Sequence, residues 1–325
     1  MPAFTATAPG KIILFGEHAV VYGRPAIAVP VMDVRARAIV TPEPRGVPGT
    51  VRLQAPDIRL DSTLELLPVE NPLATAVRGV LSELGLNRSP ACTIKVTSTI
   101  PVASGLGSGA AVSAAVVRAF SAFLGEPLSD QQVSALVYEV EKLHHGTPSG
   151  IDNTVITYQM PVYFEKATPE NQRTTNLIET LRVKEPFTIV IGCTGIASPT
   201  SVAVGNVRRV WQADPDRYDA LFDRIGAITR RARQPIEDGQ PLSLGALMDE
   251  NHALLQEVGV STPELDKLVE TARSAGAYGA KLSGAGLGGN VIAITTVECA
   301  FHIVGALRDA GVVQTITTTV KYKRD

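Results

Sequence analysis

Pro101-Val102-Ala103-Ser104-Gly105-Leu106-Gly107-Ser108-Gly109-Ala110-Ala111 is the stretch on which the fold turns. Its glycines, Gly105, Gly107 and Gly109, let the backbone curl so that successive N–H groups face inward toward an anion. The β-branched run Thr93–Ile100 before it predicts a strand, and the apolar, alanine-rich run Ala110 to Leu124 after it predicts a helix. A helix opening near Gly109 adds unpaired amides and a positive dipole end, and Ser108 puts a hydroxyl there. Strand, glycine loop and helix in this order favour a phosphate cradle. In a plain strand-to-helix turn the same glycines would only relieve backbone strain. No Lys-Ser or Lys-Thr follows the glycines, so the cradle is not a Walker A loop.

Downstream, Ser129 opens a further helix, with Gln132 three residues on for a reciprocal cap. Its stripe is Val133, Leu136, Val137 and Val140, and Glu141 lies one turn beyond Val137, near the buried face. Then His144-His145-Gly146-Thr147-Pro148-Ser149-Gly150-Ile151-Asp152-Asn153 reads as a turn-rich segment entering the apolar Thr154–Tyr158. Asp152 is either a carboxylate fixed by loop backbone or the side chain of an Asx turn. The paired histidines lack an HExxH pattern or a third ligand, which favours a structural use over a metal.

Upstream, Lys11–Phe15 and Ala26–Val31 are short apolar runs, joined by turn residues around Tyr22–Pro25. Val34–Val40 alternates with Arg35 and Arg37 as a half-buried strand does, and the proline-rich Thr41–Thr50 predicts a loop. Asn71, Pro72 and Gly85 bracket a helix over Pro72–Leu84. Near residue 185 the texture changes: a strand Phe187–Gly192, then helical periodicity to about Gly259, a helix Pro263–Ala275 capped by Thr262, the run KLSGAGLGG, a strand Asn290–Thr295, a helix near Cys299–Ala310 and a closing strand Val312–Val320. This order predicts an α+β protein of two domains, 1–185 and 186–325. Gly284-Ala285-Gly286-Leu287-Gly288-Gly289 fits the GxGxxG string, but a strand follows it instead of a helix. It is therefore read as a loop brought against substrate or phosphate.

Composition bounds the function. The 325 residues are 45% hydrophobic and 19% charged, values of a chain with a filled core. A net charge of −2 leaves no general basic field for nucleic acid. Cys92, Cys193 and Cys299 show no zinc spacing and predict buried, reduced thiols. The start MPAFTATAPGK lacks the pattern of a secretory signal, and no apolar run is long enough to span a bilayer, so the expectation is a cytoplasmic protein without membrane association.

Lys11, at the close of Ala8-Pro9-Gly10-Lys11, is by itself an ordinary strand-start lysine. Glu17 and His18, flanked by Phe15 and Ala19-Val20, hint at a polar pocket. Taken together, APGKIILFGEHAVVYG, PVASGLGSGAA and KLSGAGLGG resemble, in order, the three signatures of the galactokinase, homoserine kinase, mevalonate kinase and phosphomevalonate kinase (GHMP) superfamily, with matches from residue 8 to 294. Within it, GEHAVVYG with EKLHHGTPSGIDN is similar to the mevalonate-phosphorylating branch.

The resemblance implies a two-domain GHMP kinase fold, with an N-terminal α+β nucleotide-binding domain and a ferredoxin-like C-terminal domain. It implies transfer of the γ-phosphoryl group of ATP to the 5-hydroxyl of mevalonate, with Mg²⁺, in isoprenoid synthesis. By matching position, Asp152 would accept the hydroxyl proton and Lys11 would neutralise charge beside it. Glu141 would hold Mg²⁺, joined by Ser108 or water. Ser104, Gly105, Leu106, Gly107, Ser108, Gly109 and Ala110 would wrap the triphosphate. Glu17 and His18 would help to line the acceptor pocket, and Ser283–Gly289, Gly286 included, would close onto the site. A homodimer is an allowed assembly. Three departures stand out: Gly109 replaces a serine that lies on Mg²⁺ in many relatives, Tyr158-Gln159-Met160 replaces a Tyr-Gly-Gly, and Leu287 replaces a common glycine. The same fold acting on phosphomevalonate or another hydroxyl is the nearest alternative. A silent nucleotide- or sugar-binding sensor is the alternative of another class.

Overall fold

A computed structural model describes residues 2–101, 104–145, 148–168, 173–196 and 200–321. Of the expected features, Val102, Ala103, Gly146 and Thr147 lie outside the described residues, as do the side chains of His144 and His145.

In chain order the elements are β1 (Phe4–Phe15), β2 (Ala26–Pro42), β3 (Val51–Ala55), β4 (Leu60–Thr63), α1 (Pro72–Glu83), β5 (Cys92–Ser98), α2 (Ser108–Phe123), α3 (Asp130–His145), α4 (Ile151–Tyr158), β6 (Val162–Glu165) and β7 (Leu177–Thr180). There follow β8 (Phe187–Cys193), α5 (Thr200–Ala213), α6 (Pro215–Asp238), α7 (Leu244–Val258), α8 (Pro263–Ser274), β9 (Gly279–Ser283), β10 (Asn290–Thr295), α9 (Val297–Asp309) and β11 (Gln314–Val320).

The chain forms two compact units. One takes the described residues within Met1–Gly10, Val34–Val102 and Gly107–Gln159; the other takes those within Lys11–Asp33, Ala103–Leu106 and Met160–Asp325. This division differs from the expected break at 185. The chain re-enters the second unit at Met160 because β6 pairs with the first half of β2, Ala26 opposite Phe164 and Ala28 opposite Val162. The change of texture near 185 marks the entry into β8.

In the first unit the strand order is β4-β3-β5-β2, with β5 antiparallel to the second half of β2 and parallel to β3. Helix α2 packs on α1, α3, α4 and β5. Its buried face carries Ala110, Ala111, Ala114, Ala115 and Ala119, so neighbouring backbones approach closely. Local signals placed these helices. The Asn71 side chain accepts from Ala74 N–H at 3.1 Å, and Ser129 and Gln132 bond reciprocally at the start of α3.

In the second unit β11, β8, β10 and β9 form an antiparallel sheet in that order. Counting its strands along the chain gives the spatial order 4-1-3-2, with α9 joining the last two. That is the ferredoxin-like arrangement, its first crossover expanded into α5–α8. Helices α8 and α9 pack on this sheet, and α7 lies on β9. Strands β8, β9 and β10 are buried along their whole length.

Two expected strands, Ala26–Val31 and Val34–Val40, are one 17-residue strand, β2. Exposed Asp33 made the run look broken, but Met32 N–H is satisfied by Thr318 Oγ1 at 3.2 Å and the backbone stays extended. All three cysteines are free thiols, Cys92 and Cys193 buried as expected and Cys299 only half-buried. Burial pushes Cys92 up to about 12 and Cys193 up to about 11. No described helix is long and apolar enough to cross a membrane.

Candidate active site

Helix α2 begins at Ser108, two residues before its apolar run, because Gly107 takes the capping position at φ 72. Gly105 is left-handed as well, at φ 74. The first intrahelical bond runs from Ala111 N–H to Gly107 O, at 3.0 Å. The amides of Ser108, Gly109 and Ala110 are thus the leading donors of a 16-residue helix, and no side chain caps them. A helix end built this way attracts anions through both its amides and its dipole.

The same unit supplies two carboxylates. Glu141 on α3 is only 4% exposed, on the buried face one turn beyond Val137. Asp152 is half-buried and lies in the first turn of α4, where the sequence left a choice between fixed loop carboxylate and Asx turn. The helix starts there because Gly150 adopts φ 92 at its cap and Thr154 Oγ1 bonds back to Gly150 O at 2.7 Å. Asn153, beside Asp152, is buried and donates to Ser134 Oγ at 2.9 Å, tying α4 to α3. Arg118 of α2 holds the other end through Thr157 O at 2.6 Å. The backbone carrying Asp152 is therefore fixed at both ends.

The second unit holds the other expected residues. Lys11, 7% exposed, lies in β1, and its N–H donates to Leu106 O at 2.9 Å. Ser104 O accepts from Asn290 Nδ2 at 2.5 Å. Ser283 Oγ donates to Ile13 O at 2.6 Å. The segments carrying three distant signatures are thereby stitched to one another. Gly286 sits at φ 72, and a Cβ there would stand 2.1 Å from Val260 O, so only glycine fits.

Glu17 and His18, expected at the acceptor pocket, are committed to neighbours. Glu17 is 1% exposed and pairs with the ammonium of wholly buried Lys281. Burial pushes the Glu17 carboxyl up and the Lys281 ammonium down, and the attraction between them opposes both shifts. Glu17 Oε2 is buried with no partner among the described residues. Burial pushes the pKa of His18, 5% exposed, below its ordinary value, the bond to Ala285 opposes that shift, and Nε2–H donates to Ala285 O at 2.9 Å.

Sequence reasoning passed over Lys281 and Asn290. The one available signal was a lysine inside the apolar strand GAKLS, where a charge needs a partner. Nothing local names that partner, which is 264 residues away.

The GHMP kinases N terminal domain model matches residues 71–159, and the GHMP kinases C terminal model matches 232–311. The mevalonate kinase of Thermococcus sibiricus is 35% identical, over 96% of this chain and 95% of its own. Among solved structures, Leishmania major mevalonate kinase in complex with R-mevalonate superposes with a TM-score of 0.82 at 30% identity, covering 99% of this chain and 97% of that one. The Methanococcus jannaschii mevalonate kinase gives 0.82 at 25%, covering 99% of each. Signatures, ferredoxin-like sheet and uncapped α2 terminus agree with these likenesses, and the chain belongs to the mevalonate kinase family of the GHMP kinases.

Proposed function

We propose that this kinase transfers the γ-phosphoryl group of ATP to the 5-hydroxyl of mevalonate, giving 5-phosphomevalonate. The observation that carries the reading is the start of α2: three leading amides with no side-chain cap, behind two left-handed glycines, in a chain of this family. Phosphoryl transfer asks a protein mainly for placement and for stabilisation of charge on the transferred oxygens. The amides of Ser108–Ala110, with Ser104–Gly107 before them, take the polyphosphate. Asp152 accepts the proton of the attacking hydroxyl, and Lys11 balances the negative charge that builds there.

The residues present fit Mg²⁺. Such an ion prefers one or two carboxylates, with water and phosphate oxygens filling an octahedron. Glu141 is a buried carboxylate on a helix packed against α2, and Ser108 supplies a hydroxyl at that helix's start. Among the described residues no group of three or more His, Cys, Asp or Glu is placed to hold a metal ion by itself. With Gly109 at the next position, Ser108 or water takes the hydroxyl's place. When bound, the ion offsets charge on the phosphates. On the acceptor side, Glu17, His18 and Gly286 contribute through the loop that closes there. The free thiols suit work in the cytoplasm, and a homodimer is the assembly that light scattering would test.

A coupled ADP-release assay compares mevalonate, phosphomevalonate, galactose and homoserine as acceptors. Mevalonate is expected to dominate, with a 5-phosphate ester in the phosphorus NMR spectrum. Preference for phosphomevalonate, or no turnover with any acceptor, would overturn the reading.

A further inference from the structure

Lys281 is the only charged residue of β9, and none of its surface reaches solvent. Its ammonium meets Glu17 and, at 2.7 Å, the carbonyl of Leu282. Beside Glu17, His18 holds φ 58; in the loop after β9, Leu287 holds φ 58 too. Side-chain-bearing residues adopt such angles only where their surroundings over-determine them. Here both are fixed in one place: His18 by its bond to Ala285 O, Leu287 by its N–H to Val260 O at 2.8 Å. The loop is gripped just before it starts, through Lys281 and Ser283, and again at Ala285.

We propose that Glu17 and His18 are positioning residues: through Lys281 and the Ala285 carbonyl they hold the third glycine loop, Gly284–Gly289, in its working conformation. The inference rests on the kinase reading above, in which that loop closes onto the site. Two features support it. A carboxylate and an ammonium removed from water stay charged only by facing each other, so the pair has one geometry in which it is stable. And the turn carrying Glu17 and His18 meets β9 through Glu17 and the loop that follows it through His18, two side chains in sequence, which fixes orientation as well as distance. The competing role for Glu17 is direct contact with the acceptor through Oε2, which has no partner among the described residues.

The test uses Glu17→Gln, Lys281→Met, the double variant and His18→Asn, whose side chain is too short for Ala285 yet tolerates a left-handed backbone. Each Glu17 or Lys281 single is expected to lower kcat about 100-fold while KM for mevalonate stays within about threefold. The double variant, with neither charge left buried, is expected to regain at least about tenfold of that loss. Amide exchange of the peptide spanning 281–290 should quicken in each single and in His18→Asn, and slow again in the double, with exchange elsewhere unchanged. A double variant no better than the singles, or a mevalonate KM that rises in Glu17→Gln but not in Lys281→Met, overturns the proposal. Should the wild-type protein phosphorylate no mevalonate, the functional reading fails, and the exchange pattern alone decides whether the loop is held this way. If Lys281→Met does not fold, His18→Asn decides by the same two measurements.

Discussion

Gly286 and Gly289 offer a matched pair for asking whether the third glycine loop is fixed by conformation or by contact. Their φ angles are 72 and 75, so alanine at either pays the same left-handed penalty, about 1–2 kcal/mol. Their surroundings differ. A Cβ at Gly289 meets nothing within 4 Å, whereas at Gly286 it would stand 2.1 Å from Val260 O and 2.9 Å from Val260 Cβ. Relieving that overlap takes a displacement of about 1 Å, enough to break the Leu287 N–H to Val260 O bond, a further ~0.5–1.5 kcal/mol. With the cost of overpacking, about 1–3 kcal/mol, Gly286→Ala should be less stable than Gly289→Ala by about 2–4 kcal/mol. Urea midpoints at equal m-values measure the difference. A loop moved by about 1 Å should also lose of the order of 100-fold in kcat, the scale on which misplacement acts. Equal midpoints for the two variants would refute the reasoning, because the added methyl meets Val260 in one variant and nothing within 4 Å in the other.

Three other expectations follow from the same geometry. Asp152→Asn should lower kcat by about 10²–10⁴-fold with little change in KM for ATP, since it removes assistance to the hydroxyl and not a nucleotide contact; a near-normal kcat would refute the assignment. Glu141→Gln should raise the Mg²⁺ concentration needed for half-maximal rate, and an unaltered Mg²⁺ titration would count against it. Burial holds His252 at about 4, below its ordinary 6.5, despite Asp266 at 3.1 Å. The unfolded chain therefore binds this proton first, and its contribution to stability, complete above pH 6.5, is lost as pH falls from 6.5 toward 4. In His252→Gln the urea midpoint should fall less steeply across that window; an identical slope would mean that other groups carry it.

What the sequence made readable was what short stretches decide. Asn71 and Pro72 fix the start of α1, and Ser129 with Gln132 fixes that of α3, because those bonds span three residues. Glycine loops were readable for a similar reason: a left-handed backbone leaves few residue choices, and Gly105, Gly107, Gly150, Gly284 and Gly286 all take it. Short strands such as β4 and β7 were not, since four residues with none buried carry too little apolar pattern to read. Nor was the continuity of β2, where exposed Asp33 follows the buried run Ala26–Val31.

The candidate site divides along the same line. The place of Glu141 on its helix could be read from neighbours; Lys11, read as a strand start, lies inside β1, and Asp152, read as a loop or turn residue, lies in the first turn of α4, while commitments across the chain could not be read at all. GEH reads as a polar patch amid apolar residues, and polarity alone does not separate a group that meets substrate from one that meets another side chain. Deciding needs the partner: for Glu17 it is a lysine 264 positions on, for His18 a backbone carbonyl 267 positions on. A carbonyl has no residue type, so no pattern in the sequence encodes it. Buried polar residues near a binding loop are therefore better asked first what they hold than what they bind. Glu17 meets Lys281 of β9, and His18 meets the carbonyl of Ala285 in the loop that follows that strand.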